Sequence, residues 1–316
     1  MLKIMEHIIG IENLRAEHAP SVVSIGNYDG VHRGHQSVIR TLVAKAEQFK
    51  ATATVVTFDP LAREYFSPGS VARLSTRDER AALLFAQGVT RVVCIPFDNV
   101  FSSMSAEAFI EQVLVAGLGA RYVCVGDDFR FGCQRRGDFA LLQTLGQKHG
   151  FEVTAHETFE VSGARVSSGR IRDALGASDF ALAENLLGRP YTIEGVVSRG
   201  QQLGRTIDFP TANLVLPDML MPVKGVFAVV AELDGAEYPG VANVGRRPTV
   251  NGKENRLEVH LFNFKQDIYG AQMRVRFVRK LRDEVPFDSV DALRAQILKD
   301  AHAARQLFDV PVQKSS

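Results

Sequence analysis

A chain of 316 residues with 46% hydrophobic content is long enough for two packed domains, and 37 basic against 36 acidic residues leave a net charge of +1. That balance argues against a broad electrostatic footprint for nucleic acid or an anionic membrane, while a local site for a small anion remains open. Cys94, Cys124 and Cys133 show no CxxC spacing, which argues against a disulfide framework and a zinc knuckle and fits a reducing cytoplasm.

The chain starts MLKIMEHIIG, with Glu6 and His7 where a signal peptide needs its apolar run. No later stretch approaches the ~18 apolar residues of a membrane span. The expectation is a soluble, unprocessed, cytoplasmic protein with neither nucleic-acid nor membrane partners.

Apolar β-type runs follow, SVVSIG, ATATVVTF, RVVCIPF and RYVCVG, separated by stretches of helical periodicity such as Val38 to Phe49 and Arg77 to Gln87. Short buried strands alternating with helices predict a parallel α/β sheet covered on both faces. Ligands of such sheets sit beyond the carboxyl ends of the strands.

GNYDGVHRGH lies at one of those ends. A strand ending at Gly26 and turning through Asp29 and Gly30 into a helix offers backbone N–H groups and a positive dipole end to a phosphate. His32 and His35, three apart, share a face of the first turn, and Gly34 leaves room for close approach. A bare HxxH also fits two surface histidines, and a zinc pair would lack a third ligand here. GDDFRFGCQRRGD packs Asp128, Arg130, Arg135 and Arg136 between glycines, as a loop over a nucleotide or as a solvated charged loop. In SSGRIRDAL, Ser167 and Ser168 precede a short helix carrying Arg170 and Arg172, as an N-cap or as a triphosphate contact.

Beyond ALAENLLGRPYTIEGVV the rhythm changes to short alternating segments, and Asp234-Gly235 between two of them signals a hairpin. A small β-barrel or sandwich is predicted, closed by an amphipathic helix over Asp288 to Leu307 with Val290, Leu293, Ile297 and Leu307 on its apolar side. The boundary falls near Leu187 to Tyr191, giving domains 1–187 and 188–316.

Within the second domain, Pro210 keeps GRTIDFPTANL extended, so Thr211 and Asn213 share a face and offer two hard oxygens suited to magnesium. A strand end or turn reads the same way. Gly195, Gly200 and Gly204 around polar residues allow a phosphate-covering loop, and GVANVGRRPTV places Asn243, Arg246 and Arg247 near a turn. In RLEVHLF, Glu258 and His260 share the polar face; a carboxylate there can take a hydroxyl proton or simply be solvated.

These motifs carry a resemblance. GNYDGVHRGHQ looks like the HxGH signature of nucleotidyltransferases, and with TFDPLAREYF, GDDFRFGCQRRGD and SSGRIR in this order it is similar to the amino-terminal module of bacterial bifunctional riboflavin kinase/FAD synthetases. GRTIDFPTANL, GVFAVV, GVANVGRRPTV, LEVHLF and KLRDEVPFDSVDALRAQILKD resemble the riboflavin kinase module of the same family. The resemblance implies a Rossmann-like nucleotidyltransferase domain followed by a six-stranded β-barrel with a terminal helix. It implies that riboflavin and ATP give FMN and ADP in the second domain, and FMN and ATP give FAD and pyrophosphate in the first. Flavins are then substrate and product, not redox cofactors, and Mg2+ accompanies ATP.

By the same resemblance, His32, His35 and Arg172 act on the ATP phosphates, with Gly26, Asp29, Gly30, Asp128, Ser167 and Ser168 holding the nucleotide. Thr211 and Asn213 bind Mg-ATP, Gly195, Gly204, Arg205 and Arg246 border the kinase ligands, and Glu258 deprotonates the ribityl 5′-hydroxyl. One departure is Gly169, which stands where the family usually has threonine. A kinase with a decayed adenylyltransferase is therefore one alternative; an OB-like nucleic-acid binder using MRVRFVRKLR is another, which overall neutrality disfavours.

Overall fold

A computed structural model describes residues 5–199, 209–249 and 252–310, with side chains left undescribed at 246–254. The chain separates into two units, Met1–Ser168 and Gly169–Ser316.

Six parallel strands form the sheet of the first unit: β1 (Glu6–Ile9), β2 (Ser21–Ile25), β3 (Thr52–Asp59), β4 (Arg91–Pro96), β5 (Ala120–Gly126) and β6 (Glu152–His156). Their order is β1-β4-β3-β2-β5-β6. The short apolar runs are β-branched because both faces of each central strand are covered. Val23, Val56, Val93 and Val123 meet one helical layer, while Val22, Val55, Val92 and Tyr122 meet the other. β2 has β3 on one side and β5 on the other, so the strand order reverses at its carboxyl end, where Gly26 begins the turn.

α1 (Arg33–Gln48) buries Ile39, Leu42 and Ala46 against that second layer. It starts five residues before the expected periodic stretch, because His32 serves as its N-cap. The short α2 (Ala62–Phe66) leads to α3 (Arg77–Ala86), which opens with a Thr76/Glu79 capping box and buries Arg80, Ala81 and Leu84. α4 (Asn99–Ser102), α5 (Ala106–Phe109) with its π-helical continuation Ile110–Gly117, and α6 (Phe139–His149) complete the layers. A hairpin, β7 (Glu160–Val161) and β8 (Ala164–Arg165), follows.

α7 (Ser168–Gly176) and α8 (Phe180–Leu187) come next. β9 (Thr192–Ser198), β10 (Ala212–Val215), β11 (Gly225–Leu233), β12 (Ala236–Thr249), β13 (Gly252–Leu261) and β14 (Gln272–Arg282) then close an antiparallel barrel in the order β10-β13-β12-β11-β14-β9. Asp234 and Gly235 adopt φ of 48° and 80° at the β11–β12 hairpin, the left-handed pair a two-residue turn requires. Phe180 of α8 lies against Phe227 and Phe277 of the barrel, with centroids 5.9 and 5.8 Å away. α8 thus packs with the barrel, although its sequence rhythm belongs to the segment before it.

The terminal helix, α9 (Val290–Leu307), is N-capped by Ser289. Of its expected apolar side, Leu293 and Ile297 are half-buried, whereas Val290 and Leu307 are 65% and 36% exposed; the buried positions are Asp300, Ala301 and Ala304. Asp300 is buried because Arg282 of β14 binds it through Nε and Nη2, each 2.9 Å from Oδ2.

Candidate active sites

His32 is 5% exposed, and its Nδ1 accepts the His35 backbone N–H at 3.3 Å. A neutral His32 ring therefore carries its proton on Nε2. The His35 ring stacks on it with centroids 3.6 Å apart, and Tyr28 closes the other side at 4.8 Å. Tyr28 holds φ of 50°, and its hydroxyl is 2.6 Å from Ser24 Oγ, which donates to the Cys124 carbonyl. Burial, reinforced by the His32 ring and the Arg80 guanidinium, holds the His35 imidazole well below its usual value of 6.5. Gly34 is needed for close approach, since a Cβ there would lie 3.1 Å from His32 Cε1.

Both histidines line a cavity of about 560 Å³ together with Gly26, Asp128, Arg165, Ser167 and Ser168. Ser168 Oγ donates to the Asp29 carbonyl at 3.0 Å. Arg165 Nη1 lies 3.0 Å from Asp128 Oδ2 and holds that carboxyl below its usual range. Arg165 is a cation at this pocket that the motifs did not single out. Arg172 follows Ser168 by one turn on α7, and Gly169 is the second residue of that helix.

Asp29 and Gly30 belong to the turn but do not line this cavity, and the groups expected to meet a phosphate are bonded within the fold. Asp29 is 1% exposed, and its Oδ1 accepts from Leu74 N at 3.0 Å and Ser75 N at 3.1 Å. Gly30 N donates to Ser75 Oγ at 3.0 Å. A carboxylate saturated by buried backbone amides fixes the loop and has no role in binding an anion.

A second cavity, about 660 Å³, adjoins the first and shares Gly26, Asn27, Asp128 and Phe129 with it. Phe58, Phe66, Phe97, Phe101 and Phe131 line it, and Phe97 meets Phe58 edge-on at 6.0 Å and Phe101 at 5.5 Å. Phe129 and Phe131 stack at 5.2 Å. Such walls suit a flat aromatic ligand.

On the barrel, Asn213 of β10 and Asn243 of β12 flank Glu258 of β13 at directly opposed positions, so the three side chains share one face. Leu257, Val259 and Leu261 take the core side as the alternation predicts. The Glu258 carboxylate makes no hydrogen bond or ion pair among the described residues. His260 braces the neighbouring segment: its ring stacks on Phe209 at 3.7 Å and its Nδ1 donates to the Pro210 carbonyl at 2.8 Å. Burial lowers the His260 imidazole, with the Pro210 hydrogen bond opposing. Asn213 Nδ2 donates to the Thr211 carbonyl at 3.4 Å, which turns its Oδ1 away from that backbone. Thr211 lines a cavity of about 170 Å³ with Pro210, Val259 and Tyr269.

Gly195 is not in a loop, as expected from sequence, but inside β9, where a Cβ would lie 3.3 Å from Leu214 Cβ. It is a strand-packing position. Gly204 and Arg205 lie outside the described residues, as does the side chain of Arg246. Arg274, in the basic strand considered for nucleic acid, pairs with Glu194 and Glu232.

Comparison with known proteins covers both units. The FAD synthetase family model matches residues 14–170 and the riboflavin kinase model residues 187–308. A bifunctional riboflavin kinase/FMN adenylyltransferase of Pseudomonas fluorescens is 46% identical over 96% of this chain and 98% of its own. Its counterpart in Escherichia coli K12 is 44% identical over the same shares. Among solved structures, a Streptococcus pneumoniae protein described as a macrolide-efflux protein matches with a TM-score of 0.78 and 31% identity, covering 96% of this chain and 99% of that one. Among the described residues of the present chain, no helix is long and apolar enough to cross a membrane.

Proposed function

This chain belongs to the bifunctional riboflavin kinase/FMN adenylyltransferase family, and from that premise we propose how its residues divide two consecutive reactions. ATP phosphorylates riboflavin to FMN on the barrel, and FMN is adenylylated to FAD in the α/β unit. We place the division of labour at 1–187 and 188–316; family matches that end at 170 and resume at 187 support it, while α8 within the first span packs with the barrel.

In the α/β unit, ATP occupies the cavity of the two histidines and the isoalloxazine ring of FMN occupies the aromatic cavity. The FMN phosphate oxygen attacks the α-phosphorus of ATP, and the bond to the β-phosphate bridge breaks to release pyrophosphate. His32 and His35 donate to the phosphates as charge shifts, with Ser167, Ser168 and Arg172 assigned to the triphosphate and Asp128 to the nucleotide. Catalysis here is positioning plus charge stabilisation, with no covalent enzyme intermediate.

On the barrel, Glu258 takes the proton of the ribityl 5′-hydroxyl, the resulting oxygen bonds to the γ-phosphorus, and ADP leaves. Thr211 and Asn213 present a hydroxyl and an amide carbonyl, a sparse pair of hard donors that fits magnesium held mainly by phosphates and water. Magnesium bound with ATP offsets charge on the transferring phosphoryl group. The observation that supports this reading is the direct opposition of Asn213 and Glu258 on adjacent strands, which would bring the amide assigned to magnesium beside the carboxylate assigned as base.

Purified protein with riboflavin, ATP and magnesium, its flavins separated over time, tests the scheme: FMN appears first and FAD later. His35→Ala stops the second step and spares the first, and Asn213→Ala stops the first while still converting supplied FMN to FAD. A folded variant of either kind that lost both steps would refute the separate assignments.

A further inference from the structure

Arg80, on α3, is buried to 1% exposure at the carboxyl ends of β2 and β3, and the reactions above give it no role. Its Nη1 donates to the Asn27 carbonyl at 3.1 Å and its Nη2 to the Phe58 carbonyl at 2.9 Å. Asn27 is the residue after Gly26 and borders both cavities, while Phe58 belongs to the aromatic wall of the second. One guanidinium therefore ties the partition between the nucleotide and flavin pockets to the wall on the flavin side.

The surroundings compensate this charge only in part: burial opposes it, while Cys94, Asp29 and Asp59 favour it. The nearest carboxylate oxygen, Asp59 Oδ1, is 3.8 Å away and is already held by Arg73 at 2.8 Å. Arg80 Nε is buried with no acceptor. Burying a charge with incomplete compensation costs stability, and an apolar side chain of similar volume is often as good or better for folding alone. What the guanidinium supplies that an apolar residue lacks is a rigid fork between two strand ends and a positive charge behind the wall of both cavities.

We infer that Arg80 is a positioning residue for adenylyl transfer, holding the Asn27 and Phe58 backbones so that the FMN phosphate meets the α-phosphate of ATP in line. The two ligands bind in separate cavities, so a shift of the partition leaves each bound and misaligns the reacting atoms. The inference rests on the placement of ATP at His32 and His35 and of FMN at the aromatic wall.

The full chain is assayed as wild type, Arg80→Met, Arg80→Lys and His35→Ala, for both reactions and for thermal unfolding. Arg80→Met lowers kcat for FMN adenylylation by about 10²-fold, with KM for ATP and for FMN changed by less than about threefold. Arg80→Lys keeps the charge and reaches one of the two carbonyls, so its kcat falls between the other two. Riboflavin phosphorylation is unchanged in both. Removal of the charge also moves the His35 imidazole titration upward, read by NMR in Arg80→Met; the rings of His32 and Tyr28 touch the His35 ring, and the Arg80 charge acts on it. If Arg80→Met fails to fold, Arg80→Lys alone decides, by a reduced kcat at unchanged KM. Folded variants with wild-type kcat, or with the loss confined to KM, overturn the inference. Retention of FAD synthesis by His35→Ala would instead overturn the placement on which it rests.

Discussion

His35 and His32 lie ring on ring, planes inclined by 15° and centroids 3.6 Å apart, and His35 Nδ1 is buried with no partner among the described residues. Two charged rings in that position would repel, and burial adds to the penalty, so His35 is neutral in the folded protein near pH 7. A base whose folded pKa is depressed stabilises the fold fully above its unfolded value and loses that contribution as pH falls toward the folded one. The first unit therefore loses stability as pH drops below 6.5, by up to about 1.4 kcal/mol per pH unit from this group. Burial shifts His7 and His156 in the same direction, so His35→Gln flattens the dependence without abolishing it. Urea midpoints at pH 7, 6 and 5 read this directly; identical slopes for variant and wild type would contradict it.

Gly34→Ala separates catalysis from folding. Alanine in a helix is favoured over glycine by about 1 kcal/mol, yet its Cβ would lie 3.1 Å from His32 Cε1 and 3.2 Å from Nδ1, forcing the ring to move by a few tenths of an ångström. The expected result is a melting temperature close to wild type and an adenylylation rate lowered at least ~10-fold. An unchanged rate would mean that the His32 ring tolerates displacement.

The switch point, the histidine pair and the barrel hairpin were all legible because each rests on local signals: fully buried short strands, glycine spacing and Asp234-Gly235. Asp29 was misread for a related reason. A carboxylate in a glycine turn looks available in sequence, and its true partners, Leu74 and Ser75, arrive from 45 and 46 residues away. The aromatic cavity was invisible because Phe58, Phe97, Phe101 and Phe129 come from separate segments, and a single phenylalanine in any of them reads as core. Val290 continues the apolar periodicity of α9 yet lies exposed; the helix is held by Ala301 and Ala304, packed with Ala228 and Phe262, and by Asp300, a charge that pattern reading assigns to solvent.

Phe97→Ala tests the aromatic cavity. Phe97 meets Phe58, Tyr65, Phe66 and Phe101 with centroids between 5.4 and 6.0 Å, so its removal opens the wall that a flavin ring would lie against. KM for FMN in FAD synthesis should rise about 10-fold, the equivalent of one lost aromatic contact. KM for riboflavin in the kinase reaction should stay as it is. A rise in both, or in neither, would take the flavin out of this cavity.

The Arg282–Asp300 pair fastens α9 to the barrel, with Gln296 Nε2 donating to Asp300 Oδ1 at 2.8 Å as well. Asp300→Ala leaves a guanidinium, only 20% exposed, without its counter-charge and costs the barrel unit about 3 kcal/mol. Denaturant unfolding followed by loss of kinase activity measures it. Asp300→Asn, which keeps the shape and the Gln296 contact, should lie between, and a wild-type midpoint for Asp300→Ala would show the pair to be energetically idle.

The role of base proposed for Glu258 can be tested against its neighbours on the barrel. The opposed residues on both flanking strands are amides, Asn213 and Asn243, so no acidic or basic partner occupies its carboxylate at those positions. Glu258→Gln preserves shape and removes only proton-accepting power, so riboflavin phosphorylation should fall about 10²-fold or more with KM for ATP little changed. Asn213→Ala, if that amide holds the metal, should weaken the response to magnesium and shift the metal concentration needed for half-maximal rate upward. The two effects are distinguishable because excess magnesium restores rate to the second variant and not to the first. Recovery of Glu258→Gln at high magnesium would move Glu258 from proton acceptor to metal donor.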